Sequence, residues 1–238
     1  MAKLYFRYGT VSSAKTLNLL AVRHNYLTQN KIVLLFKPKL DTRTQDVVYS
    51  RSGLQASADL LIDEKTNVIE FVDKLAIEIH NKNNQNNQNN QNIQNTKLEK
   101  SSKDEIETSI LTNNLSKQNS INPQQFISCI LVDEVQFLSK ENIVQLRFLA
   151  TFYKIPVITY GLRTNFYGKL FKGSEALMAL ADTIEEVKNT CHYCNKKATM
   201  NLKIVNDGNN NEVNLGFEDK YLPACYKHFF TLTEYDME

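Results

Sequence analysis

Apolar and polar residues fall into blocks along the first part of the chain. Positions 5–8, Tyr-Phe-Arg-Tyr, form a strand-like run that ends at Gly9, and from about Ala14 the apolar residues Leu17, Leu20, Ala21 and Leu27 recur at helical spacing. Residues 32–36, Ile-Val-Leu-Leu-Phe, are a near-continuous run of β-formers bounded by Lys37-Pro38, the pattern of a strand buried on both faces. That pattern returns at 126–132 and 156–160, with a helical period over 142–153 between them. Strands alternating with helices predict an α/β fold, a parallel sheet flanked by helices.

The blocks break down twice. Over 81–95, thirteen of fifteen residues are Asn or Gln, and polar composition continues to about 122, interrupted only by Leu98, Ile106, Ile110 and Leu111. Such a stretch buries too little apolar surface to offset the entropy of ordering it, so 81–122 is expected to be a mostly disordered surface insertion. After Ala181, short apolar runs at 184–190, 198–205 and 212–215 predict short strands around clustered cysteines and histidines. The chain is therefore expected to comprise an α/β domain over 1–182, carrying the insertion, and a small module over 183–238.

Composition narrows the function classes. An apolar fraction of 42% can fill a core of this size, while 28 basic against 26 acidic residues leave a formal charge of only +2. No long basic stripe appears outside the insertion, so no nucleic-acid partner is expected. The first residues enter a strand without the apolar core of a signal peptide, and no apolar stretch approaches 18 residues. These features predict a cytoplasmic protein with no membrane partner. Four cysteines are too few for a disulfide scaffold, and three of them lie beside histidines near the C-terminus, which fits metal binding in a reducing compartment.

Three constellations carry chemistry. Gly9-Thr10-Val11-Ser12-Ser13-Ala14-Lys15-Thr16 follows a strand and opens a helix, the setting required of a G-x-x-x-x-G-K-[ST] phosphate loop. Its backbone N–H groups would cradle phosphates, Lys15 would reach the β- and γ-oxygens, and Thr16 would offer its hydroxyl to Mg²⁺. Ala14 departs from the pattern by standing where the second glycine is expected. The octamer alone is also compatible with an ordinary strand-to-helix turn and a solvated Lys15.

Asp133 and Glu134 directly follow the apolar run 130–132, at the carboxyl end of the expected sheet, where open α/β proteins bind ligands. They read as a Mg²⁺ ligand, Asp133, and a general base, Glu134, whose proton could come from water, as in an ATPase, or from a hydroxyl. An acidic helix cap is the plain structural alternative. Cys191-x-x-Cys194 and Cys225-x-x-His228, separated by thirty residues, match a closed structural zinc site of three thiolates and one imidazole. His192 is a competing ligand, and Cys129 reads as buried core.

Together these residues resemble the zinc-containing thymidine kinase family over nearly all the chain except the insertion. The resemblance is carried by the phosphate loop, Phe36-Lys37-Pro38, Asp41-Thr42-Arg43, Asp133-Glu134-Val135-Gln136-Phe137, the segment from Gly161-Leu162 to Phe166, and the Cys/His quartet. It implies a P-loop NTPase-like sheet with a C-terminal zinc-binding lasso, and transfer of the γ-phosphate of ATP to the 5′-hydroxyl of thymidine, with deoxyuridine as a further acceptor. It implies that Glu134 is the catalytic base, that Arg43 lies at the reacting phosphoryl group, and that Asp41 joins Thr16 and Asp133 around Mg²⁺. Phe137 would pack on the thymine ring, with Gln136, Leu162 and Phe166 completing the pocket and Gly216 and Tyr221 contributing from the lasso. Asn214 and Phe217 depart from the lasso pattern. Feedback by dTTP and a homotetramer are further implications. Two rivals stay open at this point: a zinc-ribbon P-loop ATPase acting on nucleic acid, and a degenerate nucleotide-binding homologue.

Overall fold

The computed structural model describes residues 2–42, 45–95, 121–204 and 220–233. Its centre is a six-stranded sheet of β1 (Leu4–Gly9), β2 (Ile32–Pro38), β5 (Leu60–Ile62), β6 (Ile127–Val132), β7 (Val157–Leu162) and β8 (Thr183–Glu186), in the order β5-β2-β6-β7-β1-β8. Every pairing in it is parallel. Parallel neighbours require crossovers, and those crossovers cover both faces. The alternation within β2 and β6 shows the result. Leu34, Phe36, Ile130 and Val132 join one core, while Val33, Leu35, Cys129 and Leu131 join the other.

Helix α1 (Lys15–Leu27) covers the second face with Leu19 and Leu20, packed beside Val22 and Tyr26. Of the four residues that suggested its period, only Leu20 is buried, and Leu27 is 42% exposed. The first face is covered by α2 (Val68–Asn95), α3 (Lys140–Phe152) and α4 (Lys172–Leu180). Ser139 and Asn142 cap α3 reciprocally, each side chain accepting from the other's backbone N–H.

Two expectations need correction. The polar tract does not begin as an unstructured insertion at 81, because α2 runs on to Asn95. Its first turns are anchored by buried Val68, Val72 and Ala76. Once nucleated, a helix adds residues at little cost where no Gly or Pro intervenes. The rest of the expected insertion, 96–120, lies outside the described residues. The strand near Ile184 belongs to the main sheet rather than to the small module, since β8 pairs with β1 from Tyr5↔Thr183 to Tyr8↔Glu186. The α/β unit therefore reaches Glu186. Sequence periodicity also gave no sign of β5 or of the hairpin β3 (Val47–Tyr49) and β4 (Gln55–Ser57), each three residues long.

The small module contains the antiparallel pair β9 (Met200–Lys203) and β10 (Tyr221–Ala224) followed by α5 (Tyr226–Thr233). Met200, Leu202, Ala224 and Phe229 form its own small core. The strand expected over 212–215 and the lasso itself lie outside the described residues.

Candidate active site and metal centre

The functional side chains gather where the strands end. β1 runs into the phosphate loop, β6 into Asp133-Glu134, and β7 into Leu162, so the parallel order brings these carboxyl ends together along one edge. Gly9 is fixed by close approach, because a Cβ there would lie 2.3 Å from Ser13 Oγ and 2.7 Å from the Val187 carbonyl. Ser12 and Ala14 both take left-handed backbone, with φ of 59° and 61°. The Ala14 position therefore has the conformation a glycine would adopt without strain, and the methyl group is carried at a cost. Lys15 is 8% exposed and its ammonium donates to the Thr10 carbonyl at 2.6 Å and to Ser13 Oγ at 3.3 Å.

Thr16 Oγ1 donates to Asp133 Oδ2 at 3.0 Å, joining the end of the phosphate loop to the end of β6 across 117 residues of sequence. Asp133 Oδ1 is buried and has no hydrogen-bond partner. Burial first, then the neighbouring charge of Glu134, push the Asp133 carboxyl up to about 7. An orphaned carboxylate oxygen beside a threonine hydroxyl fits a hard divalent cation, which would satisfy the oxygen and remove the repulsion. Asp41, also expected at Mg²⁺, has its Oδ2 3.3 Å from Lys37 Nζ, both side chains being almost wholly buried. It lines a separate hollow with Lys39, Thr42, Gln45, Asp46 and Leu61. Arg43 lies outside the described residues.

Glu134 is 8% exposed and held at φ 48°. Strained backbone of this kind in a non-glycine residue concentrates at functional sites. Gln136 Nε2 donates to Glu134 Oε2 at 2.5 Å, and its Oε1 accepts from the Leu162 N–H at 3.0 Å. One buried amide thus orients the carboxylate and ties it to β7. The approach requires Gly161, where a Cβ would stand 2.5 Å from Gln136 Oε1. A cavity of about 190 Å³ opens here, lined by Ser12 to Leu17, Tyr49 to Ser52 and Glu134. Arg51 leans across it and donates from Nη1 to Ser12 Oγ at 3.0 Å.

The aromatic residues expected around a base form two groups. Phe137 meets Phe171 edge-on, 5.7 Å between centroids. Phe166 lies 4.1 Å from the Tyr167 ring and 5.9 Å from Tyr221 of β10, with Lys203 Nζ 5.1 Å from its centroid. Leu162 is held by Gln136 and, through its carbonyl, by Ser174 Oγ at 2.6 Å. Gly216 lies outside the described residues. Arg51, Phe171 and Ser174 were missed by sequence reasoning, because each gains its place through contacts distant along the chain.

The four expected zinc ligands converge, their ligand atoms all within 4.8 Å of one another. Cys191 Sγ and Cys225 Sγ lie 3.4 and 3.3 Å from His228 Nδ1, and Cys194 Sγ lies 3.8 Å from Cys225 Sγ. Zn–S bonds of about 2.3 Å in a tetrahedron imply S···S edges of about 3.8 Å, so the quartet already has the dimensions of a zinc site. Burial raises the Cys191 thiol, but main-chain donors at Cys225 and Tyr193 and the His228 ring outweigh it and bring it down to about 6. His192 is not in the cluster; its N–H donates to the Pro223 carbonyl at 2.8 Å. No helix among the described residues is long and apolar enough to cross a membrane.

The chain is similar to known proteins along its length. The family model described as thymidine kinase matches residues 2–81 and 74–229. A thymidine kinase of Lactococcus lactis subsp. lactis (strain IL1403) is 34% identical over 235 residues, covering 97% of this chain and 98% of the relative. One of Enterococcus faecalis (strain ATCC 700802 / V583) is 34% identical, covering 97% and 95%. One of Streptococcus pyogenes serotype M3 (strain ATCC BAA-595 / MGAS315) is 32% identical over 234 residues, covering 97% and 98%.

Proposed function

The chain belongs to the thymidine kinase family, and from that premise we propose that it transfers the γ-phosphate of ATP to the 5′-hydroxyl of thymidine, yielding dTMP and ADP. The observation that carries the mechanism is the junction of Thr16 and Asp133 beside Glu134, at one cavity with the phosphate loop. ATP would place its phosphates against the loop's N–H groups at the start of α1, with Lys15 turning from the Thr10 carbonyl to the β- and γ-oxygens. Thr16 and Asp133 would hold Mg²⁺, which would supply neutralisation of the phosphate charge.

Glu134 acts as the general base. Its carboxylate accepts the proton of the 5′-hydroxyl as that oxygen bonds to the γ-phosphorus and the bond to the β–γ bridging oxygen breaks, releasing ADP. The Gln136 amide keeps the carboxylate aimed for the incoming hydroxyl. Phe137 and Phe166 would pack the base, with Tyr221 closing from the small module. Arg43 would neutralise charge developing on the transferred group. Zinc held by Cys191, Cys194, Cys225 and His228 supplies a closed cross-link at the foot of that module. A site of three zinc-bound thiolates fits a reducing cytoplasm. The apolar stripe Val144, Phe148 and Phe152 on α3, with Phe152 66% exposed, supports self-association. Feedback by dTTP follows from the same pocket accepting the thymine base and the phosphate loop accepting the triphosphate.

Purified protein with MgATP, assayed for ADP, tests this reading. Stimulation by thymidine and not by single-stranded DNA is expected. Stimulation by DNA would support an ATPase, and no stimulation by either would support a degenerate nucleotide-binding protein.

A further inference from the structure

The phosphate loop is gripped by the small module at one residue, Val11. The Val11 N–H donates to Asn201 Oδ1 at 2.8 Å, and the Val11 carbonyl accepts from Asn189 Nδ2 at 3.1 Å. Asn189 Nδ2 also reaches Thr10 Oγ1 at 3.2 Å. Both main-chain groups of Val11 are thus taken by side chains from beyond the main sheet. Asn201 is 4% exposed and makes a second contact, its Nδ2 donating to the Thr164 carbonyl at 2.9 Å. Its orientation is unambiguous, because one partner is a backbone donor and the other a backbone acceptor.

These contacts join three parts of the site. Val11 lies within the loop whose N–H groups would face phosphate. Thr164 lies between Leu162 and Phe166, the segment read as the base pocket. Asn201 sits on β9 opposite Pro223 of β10, and β10 leads within two residues to Cys225. Asn189 stands two residues before Cys191. Beyond the last β1–β7 pair, Gly9↔Leu162, a single buried amide therefore bridges the phosphoryl-donor loop and the acceptor segment, while Asn189 grips the loop alone. Reacting groups must meet within a fraction of an ångström, so a tie that fixes this spacing bears on turnover as well as on folding.

We propose that Asn201 and Asn189 are positioning residues: Asn201 holds the phosphate loop and the Thr164 segment in register, and Asn189 holds the phosphate loop only. The proposal rests on the thymidine kinase reading for the identity of the acceptor pocket. It predicts a division of effects between two variants of similar shape. Losing one buried hydrogen bond weakens what it positions by about tenfold. Asn201→Leu should raise KM about tenfold for both ATP and thymidine, whereas Asn189→Leu should raise KM for ATP and leave that for thymidine at the wild-type value.

The experiment measures both KM values, and ATP affinity by calorimetry, in the wild type and the two variants, alongside bound zinc and melting temperature. Wild-type KM values with turnover reduced only in proportion to the folded fraction would overturn the proposal. Should Asn201→Leu fail to fold, an unchanged ATP affinity in Asn189→Leu would overturn it alone. Calorimetry separates the two readings. Absence of thymidine-dependent turnover in the wild type would count against the functional reading, while ATP affinity weakened in the variants would still support the tie to the phosphate loop.

Discussion

Glu134 sits in left-handed backbone with its carboxylate aimed by the Gln136 amide. A neutral 5′-hydroxyl is a weak nucleophile, and a positioned base contributes roughly 10²- to 10⁴-fold to transfer. Glu134→Gln keeps the shape and removes the basic site, so kcat should fall by about that factor while calorimetry shows ATP still binding; a near-normal kcat would remove Glu134 from the role. Asp133 tests the other half of the pair. Burial lifts its pKa from an unfolded value near 3.8 to about 7. A raised carboxyl pKa means that stability is fully present below the unfolded value and is lost as pH rises through the folded one. Asp133→Asn carries no charge to bury. In metal-free protein it should therefore stabilise the fold by about 1–3 kcal/mol at pH 8, by less at pH 5, and not at all only below about pH 4, while abolishing most activity. Equal melting temperatures of the two proteins at pH 8 would contradict this. Ala14 is the third residue with a definite expectation. At φ 61° its methyl group is strained, so Ala14→Gly should raise stability by about 0.5–1 kcal/mol, and a lower melting temperature would show that the loop has absorbed the strain. These residues were legible because each falls in a contiguous motif. Asn189, Asn201 and Arg51 were not, since a lone polar residue acquires a role only from partners far along the chain.

At the scale of elements, the long apolar strands announced themselves, because strands buried on both faces need unbroken runs of β-formers. The three-residue strands β3, β4 and β5 did not, being shorter than any period can register. Helix α2 was concealed by its composition: Asn and Gln lack apolar periodicity, yet nothing in 81–95 breaks a helix already anchored at Val68 and Val72. The Cys/His quartet was the most legible element, because two ligand pairs at short spacing fix a tetrahedron whatever lies between them. Its prediction concerns the module it staples. Four side chains can form a strong cross-link in a unit whose apolar core, among the described residues, is Met200, Leu202, Ala224 and Phe229. Cys194→Ser should reduce bound zinc well below one per chain and weaken thymidine binding, with ATP binding also weakened through the asparagine ties. Full zinc content measured by elemental analysis would show the ligand set to be wrong.

For the molecule as a whole, the strand order could not be read from sequence, yet it is what makes the site. Placing β1 between β7 and β8, and β6 between β2 and β7, brings the phosphate loop, the carboxylate pair and the pocket segment to one sheet edge. The small module then reaches back onto that edge. Its boundary was misjudged because β8 lies at the sheet's margin, and a half-exposed edge strand reads like the short strands that follow. The arrangement predicts one outcome: a phosphoryl group leaves ATP only when a nucleoside hydroxyl stands before Glu134. Supplying γ-labelled ATP, Mg²⁺ and thymidine and tracking the label measures this directly. The label should appear in dTMP, in a one-to-one ratio with ADP, and scarcely at all when thymidine is omitted. Label released as inorganic phosphate at the same rate with or without thymidine would contradict the account.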